Sequence, residues 1–232
     1  MFLDHQGNDC HEQLLAYEFD NPMSPNHNVT IRPTDKELDL IARDIKKFFD
    51  DKIQWCDIPI ITKLASHYLD DFSHITTESK QDSATHILFY VIENTATSNL
   101  PETFFSPLFK NMAPHFVNII IPESLNEYIT PVKINGKPTD KLIEEYANDI
   151  IETFEDGFQW KDLATITKLG VMFTYQFKDL QLEEKKVNAK KFINYVIDST
   201  EAKNLPEYYV DSIFKIVSGA TVEIIIDQLL IK

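Results

Sequence analysis

The sequence predicts an all-α protein built as two tandem repeats of four to five helices, and three observations predict it. Shifting the chain by 105 residues lays 33–125 on 138–230 without a gap, and 35 of the 93 paired positions are identical. Apolar residues in each copy recur at three- and four-residue spacing, the period of one helix face. Glycine is scarce, 5 in 232 residues, whereas phenylalanine numbers 16, a composition suited to packed helices rather than a turn-rich β-sandwich. The organisation that follows is a polar tail over 1–32, a first repeat over 33–125, a linker over 126–137 and a second repeat over 138–230.

The first helix of each repeat opens on Pro-Thr-Asp-Lys, at Pro33 and again at Pro138. Thr34 is the expected N-cap, with Glu37 three residues on to complete a capping box. Thr139 keeps the cap, but Leu142 replaces the glutamate, so half the box is lost. Leu38, Ile41, Ala42, Ile45 and Phe49 form the buried stripe, matched by Ile143, Tyr146, Ala147, Ile150 and Phe154. Gly157 suits the residue just past the helix end in the second copy.

The second helix follows Gln54-Trp55 and Gln159-Trp160, with Asp57 and Asp162 expected as N-caps. Its stripe in copy one is Ile58, Ile61, Leu64, Ala65, Tyr68 and Phe72. A polar stretch, 73–83, leads to a third helix carrying Ala84, Ile87, Leu88, Val91 and Ile92, matched by Ala189, Phe192, Ile193, Val196 and Ile197. The fourth helix starts at Asn99-Leu100-Pro101-Glu102 and again at Asn204-Leu205-Pro206-Glu207. Asparagine caps, proline sits in the first turn and glutamate takes the third position. Phe105, Leu108, Phe109 and Met112 form its stripe. Pro114 and Gly219 then mark an expected break or kink, followed by a fifth helical segment through Val117, Ile119, Ile120 and Ile121. In the linker, Val132-Lys133-Ile134-Asn135-Gly136 alternates, as does Val29-Thr30-Ile31 before the first repeat; the two segments are able to pair as a short β-ribbon.

The chain carries a net charge of −15, spread evenly. The first repeat has 14 acidic and 8 basic residues, and the second has 17 and 10. No basic face stands out, so nucleic-acid binding is not expected, nor is attraction to an anionic membrane surface. Of the two cysteines, Cys10 and Cys56, neither recurs in the other copy. A reduced, intracellular setting is the simpler expectation, and Met1–Cys10 lacks the apolar stretch of a secretory signal.

A duplication is an internal test for chemistry, because a catalytic set shared by the copies would appear at matched positions. None does. All seven histidines, His5, His11, His27, His67, His74, His86 and His115, lie in the first half. The positions matching the last four hold Met172, Asp179, Lys191 and Ala220, so a histidine acid or base would exist in one copy alone. His5, Cys10, His11 and His27 fit no zinc spacing. Adjacent carboxylates such as Asp50-Asp51 and Glu183-Glu184 point about 100° apart on a helix. Lys63 and Lys168 are matched lysines within an apolar stripe, read as snorkelling to solvent. Phosphate-cradling glycine loops, nucleophile elbows and calcium loops are absent from the sequence. The expectation is therefore no catalytic residue, no metal site and no cofactor.

Asp50-Asp51, Trp55 with Asp57, and Asn99 to Glu102, each with its second copy, resemble small helical modules among uncharacterised proteins of large eukaryotic DNA viruses. The resemblance covers both repeats and implies no activity and no catalytic residues; it implies a virion or virus-factory protein. Read together, these features predict a non-enzymatic structural or protein-interaction module with two similar docking faces. Phe104, Phe105, Tyr208 and Tyr209, at the start of the fourth helices, are the candidate contact residues. A regulatory adaptor binding a host or basic protein is the alternative, and an enzyme or ligand carrier the remaining one.

Overall fold

The computed structural model describes residues 32–49, 53–95, 102–131, 133–154, 158–200 and 207–230, with only the backbone described at 102–108, 160 and 207–210. The fold is all-α. The described residues form eight α-helices, α1 (Asp35–Lys46), α2 (Asp57–Leu69), α3 (Thr77–Glu93), α4 (Glu102–Ile120), α5 (Asp140–Ile151), α6 (Trp160–Tyr175), α7 (Leu182–Asp198) and α8 (Glu207–Gln228). Short 3-10 turns follow α1 at Lys47–Phe49 and α4 at Leu125–Tyr128. The chain divides into two compact units, Met1–Ile121 and Pro122–Lys232.

In the first unit α3 is central, packing against α1, α2 and α4, and α2 also touches α4. The apolar stripes explain this. Leu38, Ala42 and Ile45 of α1 are buried, as are Ile58, Ile61, Leu64 and Ala65 of α2 and Ala84, Ile87, Leu88, Val91 and Ile92 of α3. In the second unit α7 takes the central place against α5, α6 and α8. Its core is aromatic: Phe173 stacks on Phe192 at 5.3 Å between ring centres and meets Phe177 and Tyr146 edge-on or tilted, each at 5.2 Å.

Helix starts follow the local chemistry. The Thr34 hydroxyl accepts from Glu37 N, and the Glu37 carboxylate accepts from Thr34 N at 2.7 Å, a complete capping box. Thr139 accepts from Leu142 N and has no returning partner. The third helix begins earlier than its apolar stripe implies, because Thr76 caps it through Ser79 N; much of the expected polar connector is thus helical.

Two expectations are corrected, and a third falls outside the described residues. The break at Pro114 and Gly219 does not occur: α4 and α8 run through both residues, so the described residues of each unit hold four α-helices, with no separate fifth among them. Pro114 sits beside exposed Lys110 and Asn111, where water can satisfy the carbonyl that loses its amide partner. The expected ribbon partner Val29–Ile31 falls outside the described residues together with Val132. Within the linker Ile134 forms a parallel bridge with Phe177, its N–H donating to Gln176 O at 2.6 Å and its carbonyl accepting from Lys178 N at 3.0 Å. Cys56 is buried and disulfide-bonded, which replaces the expected reduced thiol; Cys10, the tail and its histidines lie outside the described residues.

Candidate functional site

Matched polar residues are the place where chemistry common to both copies would sit. Asp57 and Asp162 head α2 and α6, but neither is an N-cap. In the second unit the helix begins at Trp160, so Asp162 is the third helical residue and its carboxylate accepts from Gln159 N at 2.8 Å. Asp57 Oδ2 likewise accepts from Gln54 N at 2.7 Å. The retained Gln-Trp-x-Asp motif is thus a backbone clamp that closes the turn before the helix.

The two clamps differ in their surroundings. Asp57 is only 3% exposed, and its Oδ1 has no hydrogen-bond partner. Burial pushes its carboxyl up to about 6, against which the Gln54 amide works. Asp162 is half-buried. An acid titrating near neutrality is a common property of catalytic sites. Among the described residues no second polar group bonds the remaining oxygen of Asp57, so they form neither an acid–base pair nor a ligand set there.

Thr62 and Thr167, from the repeated Ile-Thr-Lys-Leu, are fully buried. Each hydroxyl donates to the carbonyl one turn back, Ile58 O at 2.9 Å and Leu163 O at 2.7 Å. Such hydroxyls are satisfied within their own helices and are not poised as nucleophiles. Lys168 reaches past the Tyr128 ring to Glu127 at 2.7 Å, while Lys63 is half-buried at the matched place.

Among the described residues, no group of three His, Cys, Asp or Glu is placed to hold a metal ion. His67, His74 and His115 are exposed, and His86 lies 3.2 Å from Asp39. No helix among these residues is long and apolar enough to cross a membrane. Phe104, Phe105, Tyr208 and Tyr209 fall in the first turns of α4 and α8, and their side chains lie outside the described residues.

Other surface features lacked a clear sequence signal. Leu40 and Phe48 on or just after α1 are each 51% exposed, and Val187 on α7 is 63% exposed. On α5, Glu144, Glu145 and Asp149 stand exposed, as does Tyr146 at 37%. Leu40 and Val187 fall outside the apolar periodicity of their helices, which was the available signal. No protein-family model matches the chain, and no curated protein or solved structure matches it.

Proposed function

We propose that this chain is a non-enzymatic protein-interaction module in which a duplicated helical unit presents two similar docking faces. The observation that carries the reading is what the matched positions do: Thr34 and Thr139 cap, Asp57 and Asp162 clamp a turn, and Thr62 and Thr167 bond within their helices. The residues common to the copies serve a scaffold. Helix bounds support the tandem organisation, since α5 and α7 begin and end 105 residues after α1 and α3. Two sites on one chain raise avidity or bridge two partners. A minor component of a viral particle is one instance of such a module, drawn from the resemblance of its capping motifs. Phe104, Phe105, Tyr208 and Tyr209 remain the proposed contacts.

The alternative, an acidic adaptor for a basic protein segment, is favoured by the exposed carboxylates of α5. Affinity purification of the tagged protein from its native source tests both. Near-stoichiometric partners retained by the full chain, and lost on substitution of Phe105 or Tyr209 by Ala, support docking. Retention that falls steeply with salt and survives those substitutions supports the acidic adaptor. A preparation free of protein partners sinks both readings.

A further inference from the structure

The second unit carries a buried ionic network with no ionic counterpart in the first. Lys186 on α7 and Glu223 on α8 are 7% and 6% exposed. Lys186 Nζ lies 2.9 Å from Glu223, 2.8 Å from Asp227 and 3.2 Å from Glu183. Lys190, one turn on, donates to the other Glu223 oxygen. Burial opposes both charges. On Glu223 the two lysines outweigh it and hold the carboxyl below its ordinary value. On Lys186 the carboxylates of Asp227, Glu223 and Glu183 outweigh it and hold the ammonium in its charged form. Four-residue spacing sets Lys186 and Lys190 on one face of α7, and Glu223 and Asp227 on one face of α8.

At the matched positions of the first unit stand Gln81, Thr85, Asn118 and Pro122. Gln81 Nε2 donates to Ile121 O at 2.7 Å, and the Thr85 hydroxyl donates to Gln81 O at 2.8 Å. The end of the fourth helix is therefore fastened to the third by a neutral amide in one unit and by ions in the other.

A chain holding two copies of one fold faces an error that a single copy does not. The apolar stripes are alike, so a fourth helix is able to settle on the third helix of the wrong copy. The two fastenings are not interchangeable. α8 laid on α3 would bury Glu223 against Gln81 and Thr85; α4 laid on α7 would bury Lys186 against Asn118 and Pro122. The first error buries Glu223 without a lysine, and the second leaves Lys186 with only the exposed Glu183 of its own helix in place of three carboxylates; both are unfavourable. We propose that the Lys186–Glu223 network and the Gln81–Ile121 bond form a pairing code that directs each fourth helix to the third helix of its own copy. The code rests on the duplication and on contacts within each unit, and on no docking partner.

The test makes the code uniform while leaving each native junction satisfied. In the full chain, Gln81→Lys/Thr85→Lys/Asn118→Glu/Pro122→Asp makes both junctions ionic. A second variant, Lys186→Gln/Lys190→Thr/Glu223→Asn/Asp227→Asn, makes both neutral. Each is unfolded, refolded and assayed for monomer by size exclusion with light scattering. The wild type and the ionic variant are also treated with a zero-length carbodiimide cross-linker and mapped by mass spectrometry. The expected result is a several-fold loss of native monomer in both variants. In the ionic one, links should also appear between position 81 and Glu223, or between Lys186 and position 118. Wild-type monomer yield with links only inside each copy overturns the proposal. Should the ionic variant not refold at all, the neutral one decides: wild-type yield overturns the code, and a several-fold loss upholds it.

Discussion

A single added carbon separates two glycines that look alike in the sequence. Both lie inside helices, where replacing glycine by alanine gains about 0.5–1 kcal/mol from backbone entropy alone. A Cβ on Gly219 of α8 would meet nothing nearer than the Lys190 side chain at 3.9 Å. Gly219→Ala should therefore stabilise the protein by about that amount. At Gly170 of α6 the Cβ would stand 2.8 Å from Ile193 Cγ1 and 3.2 Å from the Ala189 carbonyl oxygen on α7. There overpacking of about 1–3 kcal/mol outweighs the entropy gain, and Gly170→Ala should destabilise. Urea unfolding of the two variants checks the opposite signs. Asp57 gives a second residue-scale prediction. Its folded value of about 6 lies above the ordinary carboxyl value of 3.8, so the folded state holds the proton more tightly than the unfolded chain. Stability from this group is complete at low pH and is lost as pH rises through that window, by up to about 3 kcal/mol. Asp57→Asn keeps an oxygen for the Gln54 amide and removes the titration. The difference in stability between wild type and variant should change between pH 4 and pH 6 and level off above it; a constant difference would sink the assignment.

At the scale of elements, the ionic network between α7 and α8 makes a prediction distinct from its proposed role in pairing. Lys186→Met leaves Glu223 buried with Lys190 alone, and the loss should be about 3 kcal/mol, the low end for breaking a buried pair. Adding Glu223→Leu to that variant should recover most of the loss, because two apolar side chains replace two desolvated charges; denaturant titration of the single and double variants measures it. These elements also show how far the sequence carries. The stripe of α3, from Ala84 to Ile92, and the capping box at Thr34 are legible because they depend on residues within a turn or two of one another. The local pattern places Asp57 as an N-cap, but the helix start shifts by a few residues with tertiary contacts, whereas the clamp to Gln54 does not. The proline at 114 reads as a break on local rules, yet burial of Phe109, Met112, Phe116, Val117 and Ile120 along one face holds α4 together across it. The Lys186–Glu223 pair spans helices distant in sequence. Its trace was the joint departure of Lys186 from Gln81 and of Glu223 from Asn118, visible only once the copies are aligned.

The whole molecule is two compact units, and the second begins before its repeat does. Residues 126–137 read as a linker from their polar, alternating character, but their contacts bind them to the unit that follows. Tyr128 is fully buried, and Glu127, held below its ordinary value first of all by its bond to Lys168, reaches that lysine on α6 at 2.7 Å. Lys133 donates to Tyr175 O at 2.8 Å, and Gly136, in the left-handed region at φ 88°, donates to Asp179 at 2.6 Å. Ile134 bridges to Phe177 beside the aromatic cluster around Phe173. Sequence periodicity misses this segment because it is a 3-10 turn and a single bridge, each too short to show a period. A chain spanning 122–232 should therefore fold by itself and unfold in one cooperative thermal transition followed by circular dichroism. A chain spanning 138–232 keeps every helix of the unit but loses the Tyr128 side chain from the core, a change comparable to truncating a buried aromatic at about 3–5 kcal/mol. It should melt well below the longer chain, and Tyr128→Ala in the 122–232 chain should reproduce most of the drop. Equal melting temperatures for the two chains would show that the segment is a tether after all, with its buried tyrosine contributing little to the fold.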